Sequence, residues 1–351
     1  MKKLIIIMIV LLSLESIGEA AYVITDLGNL GIMSPMKIND AGQATGTYMI
    51  QPGTYNAFLY SDGVLNNFGS LADIGSKGKD VNNHGHIAGN SYTPSPYGKY
   101  SQAFLYDGMS IQGLGDLGGS SSYAMGVNDN GQIVGSSRLP GDLVGHAFLY
   151  DDGVMTDIGT LGWNSCANDI NNSGQVVGDS AFSRYGQRHA FFYDGITMRD
   201  LGTLGGTMSW ASAINELGHV AGHSLKNIGS GVYGFLYDGT TMHEIGSLGG
   251  NATHSYGIND SDCIVGKSET DLESSTHAFL YDGQNMLDLN NLIPSNSGWE
   301  LTIAYDINNS GQIIGHGEID GEMHGFLLNP VPEPATLFLL GLGGLLLRKK
   351  P

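Results

Sequence analysis

Apolar residues in this chain fall in short runs separated by clusters of Gly, Asn, Asp and Ser, and one arrangement of them keeps returning. It reads Gly126-Val127-Asn128-Asp129-Asn130-Gly131-Gln132-Ile133-Val134-Gly135, then His146-Ala147-Phe148-Leu149-Tyr150, then Asp157-Ile158-Gly159-Thr160-Leu161-Gly162. Runs this short, bounded by turn-forming residues, predict strands rather than helices.

The register repeats seven times. Asn39, Asn82, Asn128, Asn171, Asn215, Asn259 and Asn308 are spaced by 43, 46, 43, 44, 44 and 49 residues, and each follows Ile or Val. Seven residues after each comes a glycine, from Gly46 to Gly315, and a phenylalanine follows in every unit, from Phe58 to Phe326. A fixed period of this length marks a repeat architecture.

Each unit predicts four strands. The first ends at the Ile/Val-Asn pair, and Asn-Asp/Asn-x-Gly makes a tight turn in which Gly supplies a positive φ. Gln132–Gly135 begins the second strand and Ala147–Tyr150 forms the third. Asp-Gly pairs in six units predict a hairpin into a fourth strand such as Met198–Gly202. The third strand is apolar on both faces, so it is expected to be buried between two sheets. Stacked four-stranded units predict an all-β, seven-bladed β-propeller of 28 strands. The seventh unit stops at Asn329-Pro330 without a fourth strand, while Tyr22–Gly31 carries one with no unit of its own. The N-terminal strand is therefore expected to complete the last blade and close the ring, leaving no exposed edge.

Charge changes the functional picture. Residues 21–330 hold 10 Lys and Arg against 31 Asp and Glu, a net of −21. Such a body repels phosphate backbones, so nucleic acid is excluded as a partner. The two cysteines, Cys166 and Cys263, fall at unrelated points of their repeats and are expected to be small packed residues, unpaired.

The ends read as addresses, which divides the chain into 1–20, 21–330 and 331–351. Met1-Lys2-Lys3, the apolar run Leu4–Leu12 and Gly18-Glu19-Ala20 form a secretory signal peptide with cleavage after Ala20. At the other end Pro332-Glu333-Pro334 precedes eleven apolar residues, Leu337–Leu347, and then Arg348-Lys349-Lys350. Eleven helical residues reach about 17 Å against a hydrocarbon core of roughly 30 Å, which suits a transient membrane-held helix better than a permanent span. This tail resembles the PEP-CTERM sorting signal of Gram-negative, exopolysaccharide-producing bacteria. The resemblance implies processing by an exosortase, passage through the inner membrane on the C-terminal tail, and a secreted or cell-surface destination.

The core His-Ala-Phe-Leu-Tyr at His146–Tyr150 and His277–Tyr281 resembles the HAF-repeat family of extracellular bacterial proteins. The resemblance covers residues 22–328 and departs at Gly234 and Gly325, which replace Ala, and at Asn56, Gln102 and Tyr233, which replace His. It implies architecture and location but no activity.

Residues that recur in every unit are expected to serve the fold. His146, His189, His277 and His324 are read as strand-edge residues bonding to a neighbouring blade. Asp26, Asp116, Asp157, Asp200 and Asp288 are read as a repeated fourth-strand position. Glu216, Glu244 and Glu300 stand outside the repeat pattern, with nothing to pair any two of them. The turns at Asn39-Asp40, Asn128-Asp129 and Asn259-Asp260 offer oxygens to a structural calcium, but no twelve-residue loop with a closing Glu accompanies them. A phosphate-cradling Gly-x-x-x-x-Gly-Lys-Ser/Thr loop, His-Glu-x-x-His and Gly-x-Ser-x-Gly are all absent, so no cofactor and no catalytic residue is expected. Binding falls to what varies: Tyr123, Trp163, Trp210, His254, Tyr256, Trp299 and Tyr305 lie in the links between blades, where aromatic rings beside Asn and Ser suit sugar faces. The expectation is an exported, surface-sorted binding or structural module of the envelope or exopolysaccharide matrix. The alternatives are a polysaccharide hydrolase or lyase with a carboxylate pair at the mouth, and a purely structural coat protein.

Overall fold

The computed structural model describes residues 21–31, 36–95, 98–226, 231–271 and 275–331. These residues form an all-β protein, with a single 3-10 turn at Leu289–Asn291 among them. The strands number 28 among the described residues and pair antiparallel in fours, unit after unit. The third unit is representative: Ser122–Val127, Ile133–Arg138, Gly145–Asp151 and Val154–Gly159 lie side by side in chain order. The fifth and sixth units are additionally joined by one parallel bridge, Val232 to Ala252.

The last sheet differs in its source. Trp299–Ile307, Ile313–Ile319 and Glu322–Pro330 are joined by Tyr22–Gly28, which pairs with Glu322–Pro330 from Tyr22 opposite Pro330 to Gly28 opposite Gly325. The N-terminal strand thus supplies the strand that the seventh unit lacks.

The core lies between sheets. Every repeated phenylalanine, Phe58, Phe104, Phe148, Phe191, Phe235, Phe279 and Phe326, is fully buried, each burial contributing about 1.5–3 kcal/mol. Hydrophobic clusters bridge successive units: Val134, Ala147 and Ile158 of the third meet Ala167, Ile170 and Phe191 of the fourth. One cluster joins the two ends, with Ile314 and Leu327 of the seventh unit packed on Met36, Ile38 and Phe58 of the first. The repeated glycine serves this packing, because a Cβ at Gly315 would collide with the Ile303 carbonyl and the Phe326 ring.

The repeated asparagine works both within its unit and beyond it. Asn308 Oδ1 accepts from the Gln312 and Ser310 amides of its own turn, at 2.9 and 3.1 Å. Its Nδ2 donates to the Asn39 carbonyl of the first unit, at 2.9 Å. The same cross-unit bond runs from Asn39 to Asn82, Asn82 to Asn128, Asn128 to Asn171, Asn171 to Asn215, Asn215 to Asn259 and Asn259 to Asn308. The result is a circle of hydrogen bonds through all seven units.

Three expectations are corrected here. The repeated histidines bond within their own sheet rather than to a neighbour: His146 meets Asp157 at 2.8 Å, His189 meets Asp200 at 2.9 Å and His277 meets Asp288 at 2.7 Å. The cause is register, since His sits on the third strand beside the fourth-strand carboxylate. Asp116 does not share that position, because Gly113 is the residue that pairs with Phe104. Glu216 and Glu244 are repeat positions after all: Glu244 pairs with Phe235 as Asp157 does with Phe148, and Glu216 follows its unit's Asn. Cys166 and Cys263 are unpaired.

Candidate functional site at the centre of the seven units

The inner strand of each unit after the first carries a bulge at the third residue before its Asn. Register shifts between Gly78 and Asp80, Ala124 and Gly126, Ala167 and Asp169, Ala211 and Ala213, Ser255 and Gly257, and Ala304 and Asp306. A bulge leaves one residue unpaired and re-aims its side chain. The skipped residues are Lys79, Met125, Asn168, Ser212, Tyr256 and Tyr305, and together with Met36 of the first unit they line one cavity of about 270 Å³. Every unit contributes to it, and no two adjacent units before the sixth offer the same residue at the position three before the Asn.

An aromatic arc leads to this cavity. The Trp210 ring stacks on His223 at 5.3 Å, His223 lies 4.9 Å from His254, and His254 stacks on Tyr256 at 6.3 Å. Tyr256 is 5.9 Å from Tyr305, against which His316 stands edge-on at 5.3 Å. Burial keeps the arc uncharged at neutral pH. It pushes His316 down to about 4 and, with His254 nearby, His223 to about 3, while Tyr256 and Tyr305 rise to about 12. His223 Nδ1 and His316 Nδ1 are buried without a hydrogen-bond partner among the described residues.

Behind the bulge residues lies a charged layer. Lys37, Asp80, Asp169 and Asp306 occupy equivalent repeat positions and border a second cavity of about 150 Å³ on the turn side, and Lys37 borders both. Lys37 Nζ is 3.4 Å from Asp306 Oδ1. The carboxylates also tie units together: Asp80 accepts from Val127 N at 2.8 Å, Asp169 from Ile214 N at 2.9 Å and Asp306 from Ile38 N at 3.0 Å. Burial raises all three carboxyls, Asp80 to about 7, with Asp169 and Asp306 adding to it and Lys37 opposing. For Lys37 burial works against the charge, yet Asp306, Asp169 and Asp80 outweigh it and hold the ammonium above its ordinary range.

The turn side closes with a second circle. Each residue after the repeated Asn gives its amide to the side chain of the corresponding residue one unit on, as in Asp40 to Asn83, Asn83 to Asp129 and Asn309 to Asp40, at 2.7–2.9 Å. The candidate calcium turns take part in it: Asp129 oxygens take Asn83 and Asn172 donors, and Asp260 takes Glu216 N and Asn309 Nδ2. No group of three or more metal-ligating side chains occurs among the described residues.

Of the seven aromatic candidates read from the sequence, Tyr256 and Tyr305 line the cavity, and Trp210 and His254 extend it through the arc. The other three are elsewhere. Trp299 packs edge-on against Phe326 at 6.2 Å as part of the last core, and Tyr123 borders a separate pocket beside Arg138 and Arg188. Trp163 lines none of these cavities and joins its sheet through its amide, which donates to the Ala181 carbonyl at 2.7 Å. Sequence reasoning missed Lys79, Met125, Asn168 and Ser212. Their signal was variability at one fixed offset inside an otherwise regular strand.

Residues 330–350 match the PEP-CTERM protein-sorting motif. The chain is exported and sorted to the cell surface. This motif is the signal that exosortase recognises, and its residues Pro332, Glu333, Pro334, Arg348, Lys349 and Lys350 lie outside the described residues, as does the expected signal peptide. Among the described residues no helix is long and apolar enough to cross a membrane. No curated protein matches the chain in sequence. Among solved structures it is similar to TolB from Acinetobacter baumannii, at 13% identity and a TM-score of 0.47 over 82% of this chain and 63% of that one. It is also similar to dipeptidyl peptidase 4 from Porphyromonas gingivalis, at 10% identity and 0.45 over 83% and 52%. Trypanosoma rangeli sialidase in complex with sialic acid matches at 10% identity and 0.41 over 91% and 60%. The chain spans less than two thirds of the length of each of these three.

Proposed function

We propose that the protein is a closed, seven-bladed β-propeller of the HAF-repeat type that acts after export as a non-enzymatic binding module for envelope or matrix polysaccharide. The observation that carries this reading is the convergence of an uncharged aromatic arc on a cavity lined by the bulge residues of six units and Met36 of the first. Aromatic rings present apolar faces to sugar C–H surfaces, while Asn168 and Ser212 offer hydrogen bonds to hydroxyls. Closure is supported by the pairing of Tyr22–Gly28 with Glu322–Pro330 and by the bond from Asn308 to Asn39.

A second reading, a polysaccharide hydrolase, is favoured by Asp80, whose carboxyl is raised to about 7 and would hold a proton at the pH where a general acid needs one. Against it, both Asp80 oxygens accept backbone amides, from Val81 and Val127, which fixes the group in the fold. Incubating the exported protein with its host's exopolysaccharide separates the readings. Retention on the polymer with no new reducing ends or unsaturated sugars supports binding, product supports the enzyme, and neither leaves a structural coat protein.

A further inference from the structure

Among the residues that line the cavity, Lys79 stands out. It is a bulge residue with a half-buried side chain, and it makes no hydrogen bond or ion pair among the described residues. Lys37, its neighbour in the cavity wall, is already engaged by Asp306. The carboxylate that Asn168 of the cavity wall contacts is engaged as well: Asp179 is ion-paired with Arg188 and accepts from Asn168 Nδ2 at 3.2 Å. Burial, with Lys77 close by, pushes the Lys79 ammonium down, as expected for a cation taken from water without a counter-charge.

We propose that the central cavity takes a carboxylated sugar, a uronic-acid-type residue at a chain end, with Lys79 receiving the carboxylate and Tyr256 and Tyr305 carrying the ring. This rests on the polysaccharide-binding reading above and names its ligand class. Three features argue for it together. A cavity of about 270 Å³ sits just under the ~300–1,000 Å³ typical of small-molecule sites, which suits one sugar ring rather than a length of chain. An incoming carboxylate supplies the partner that Lys79 lacks, and a charge-assisted bond of that kind is the strongest polar contact the cavity has to offer. The exterior, at a net of −21 over residues 21–330, repels an anionic polymer everywhere else. An acidic glycan is thus turned away from the flanks and admitted at the mouth, end-on.

The test uses the protein as its host exports it, titrated calorimetrically with trigalacturonate and with the same trisaccharide fully methyl-esterified, which keeps the shape and removes the charge. Trigalacturonate is expected to bind at least about tenfold more tightly than the ester. Lys79→Met should erase that difference, while Tyr256→Ala should weaken binding of both. Equal binding of acid and ester, or a Lys79→Met variant that keeps the preference, overturns the carboxylate assignment and leaves the polysaccharide reading standing. Failure to bind either probe, or the host's own polysaccharide, overturns both. Circular dichroism of each variant separates lost binding from lost folding.

Discussion

Asp26 and His324 stand 298 positions apart in the chain, yet the Asp26 carboxylate lies 3.0 Å from His324 Nδ1. It is the contact that His146 makes with Asp157 eleven residues away, rebuilt from the two ends of the protein. A local motif of the third unit has become a long-range staple in the seventh.

Loss of the N-terminal strand is therefore expected to damage the far end of the chain. Tyr22 is buried in a cluster with Leu301, Phe326 and Leu328, so Tyr22→Ala should cost roughly 3 kcal/mol. Asp26→Ala, in a half-exposed pair, should cost about 1 kcal/mol or less. Urea denaturation of the two variants checks the order. Equal stability of Tyr22→Ala and the parent would contradict the strand's role.

The asparagine circle makes its own demand. Asn308→Asp keeps the acceptor for the Gln312 amide but removes the donor to Asn39 and places a buried carboxylate beside a carbonyl. It should destabilise by about 3 kcal/mol or more at neutral pH, since one hydrogen bond is lost and an anion is buried. The deficit should shrink in acid as that carboxylate protonates, and thermal melts at pH 4 and pH 7 would show it.

Asp80 predicts a pH dependence of opposite sense to the usual one for a carboxylate. Burial lifts its folded pKa from 3.8 to about 7, against the opposing charge of Lys37 and the Val127 amide, with Asp169 and Asp306 pushing the same way. The folded state therefore binds the proton more tightly than the unfolded state. This contribution leaves stability highest below about pH 4 and lowers it as pH rises through 7. Melting temperature should fall between pH 5 and pH 8, and Asp80→Asn, which keeps an acceptor for Val127 N, should flatten that slope. An unaltered slope in the variant would rule Asp80 out as its source.

The repeated glycine is expected to tolerate nothing larger. Gly315→Ala drives a methyl into the Ile303 carbonyl and the Phe326 ring, and overpacking against backbone should cost about 3 kcal/mol. At Gly145, where the nearest atom to an added Cβ is 3.4 Å away, the same change should cost under about 1 kcal/mol. Paired denaturation curves test the contrast.

The sorting tail sets a dependence on place rather than stability. Removing 332–351 should shift the protein from the envelope to the medium, as judged by fractionation and immunoblot. Retention of the truncated chain at the surface would mean that another part of it holds the protein there.

What the sequence disclosed was whatever the seven units share. Asn308, Gly315 and Phe326 were legible because six other units repeat them, and one physical need (a turn, a close approach, a buried ring) explains each. The strand at Tyr22 was legible because the seventh unit lacked one. The centre was harder to see. Lys79, Met125, Asn168 and Ser212 share an offset but no chemistry, so a search for recurring residues passes over them. Lys37, Asp80, Asp169 and Asp306 were invisible for a related reason: Gly126, Ala213 and Gly257 hold the same position in other units. Tryptophan was a poor guide, because Trp299 fills a core and Trp163 lines none of the cavities.

The asparagine circle also joins the first unit to the last. Every bond in it runs the same way round, from one unit to the carbonyl of the next, so it has no first member and no last one. Asn39 can only be reached by Asn308, and Tyr22–Gly28 finds its partner only in Glu322–Pro330, the final strand described. A chain still threading through a membrane with its seventh unit behind it holds an open arc with two raw faces and an unpaired leading strand. The pairing of Tyr22–Gly28 with Glu322–Pro330 and the bond from Asn308 to Asn39 can form only once both ends of the chain lie on the same side.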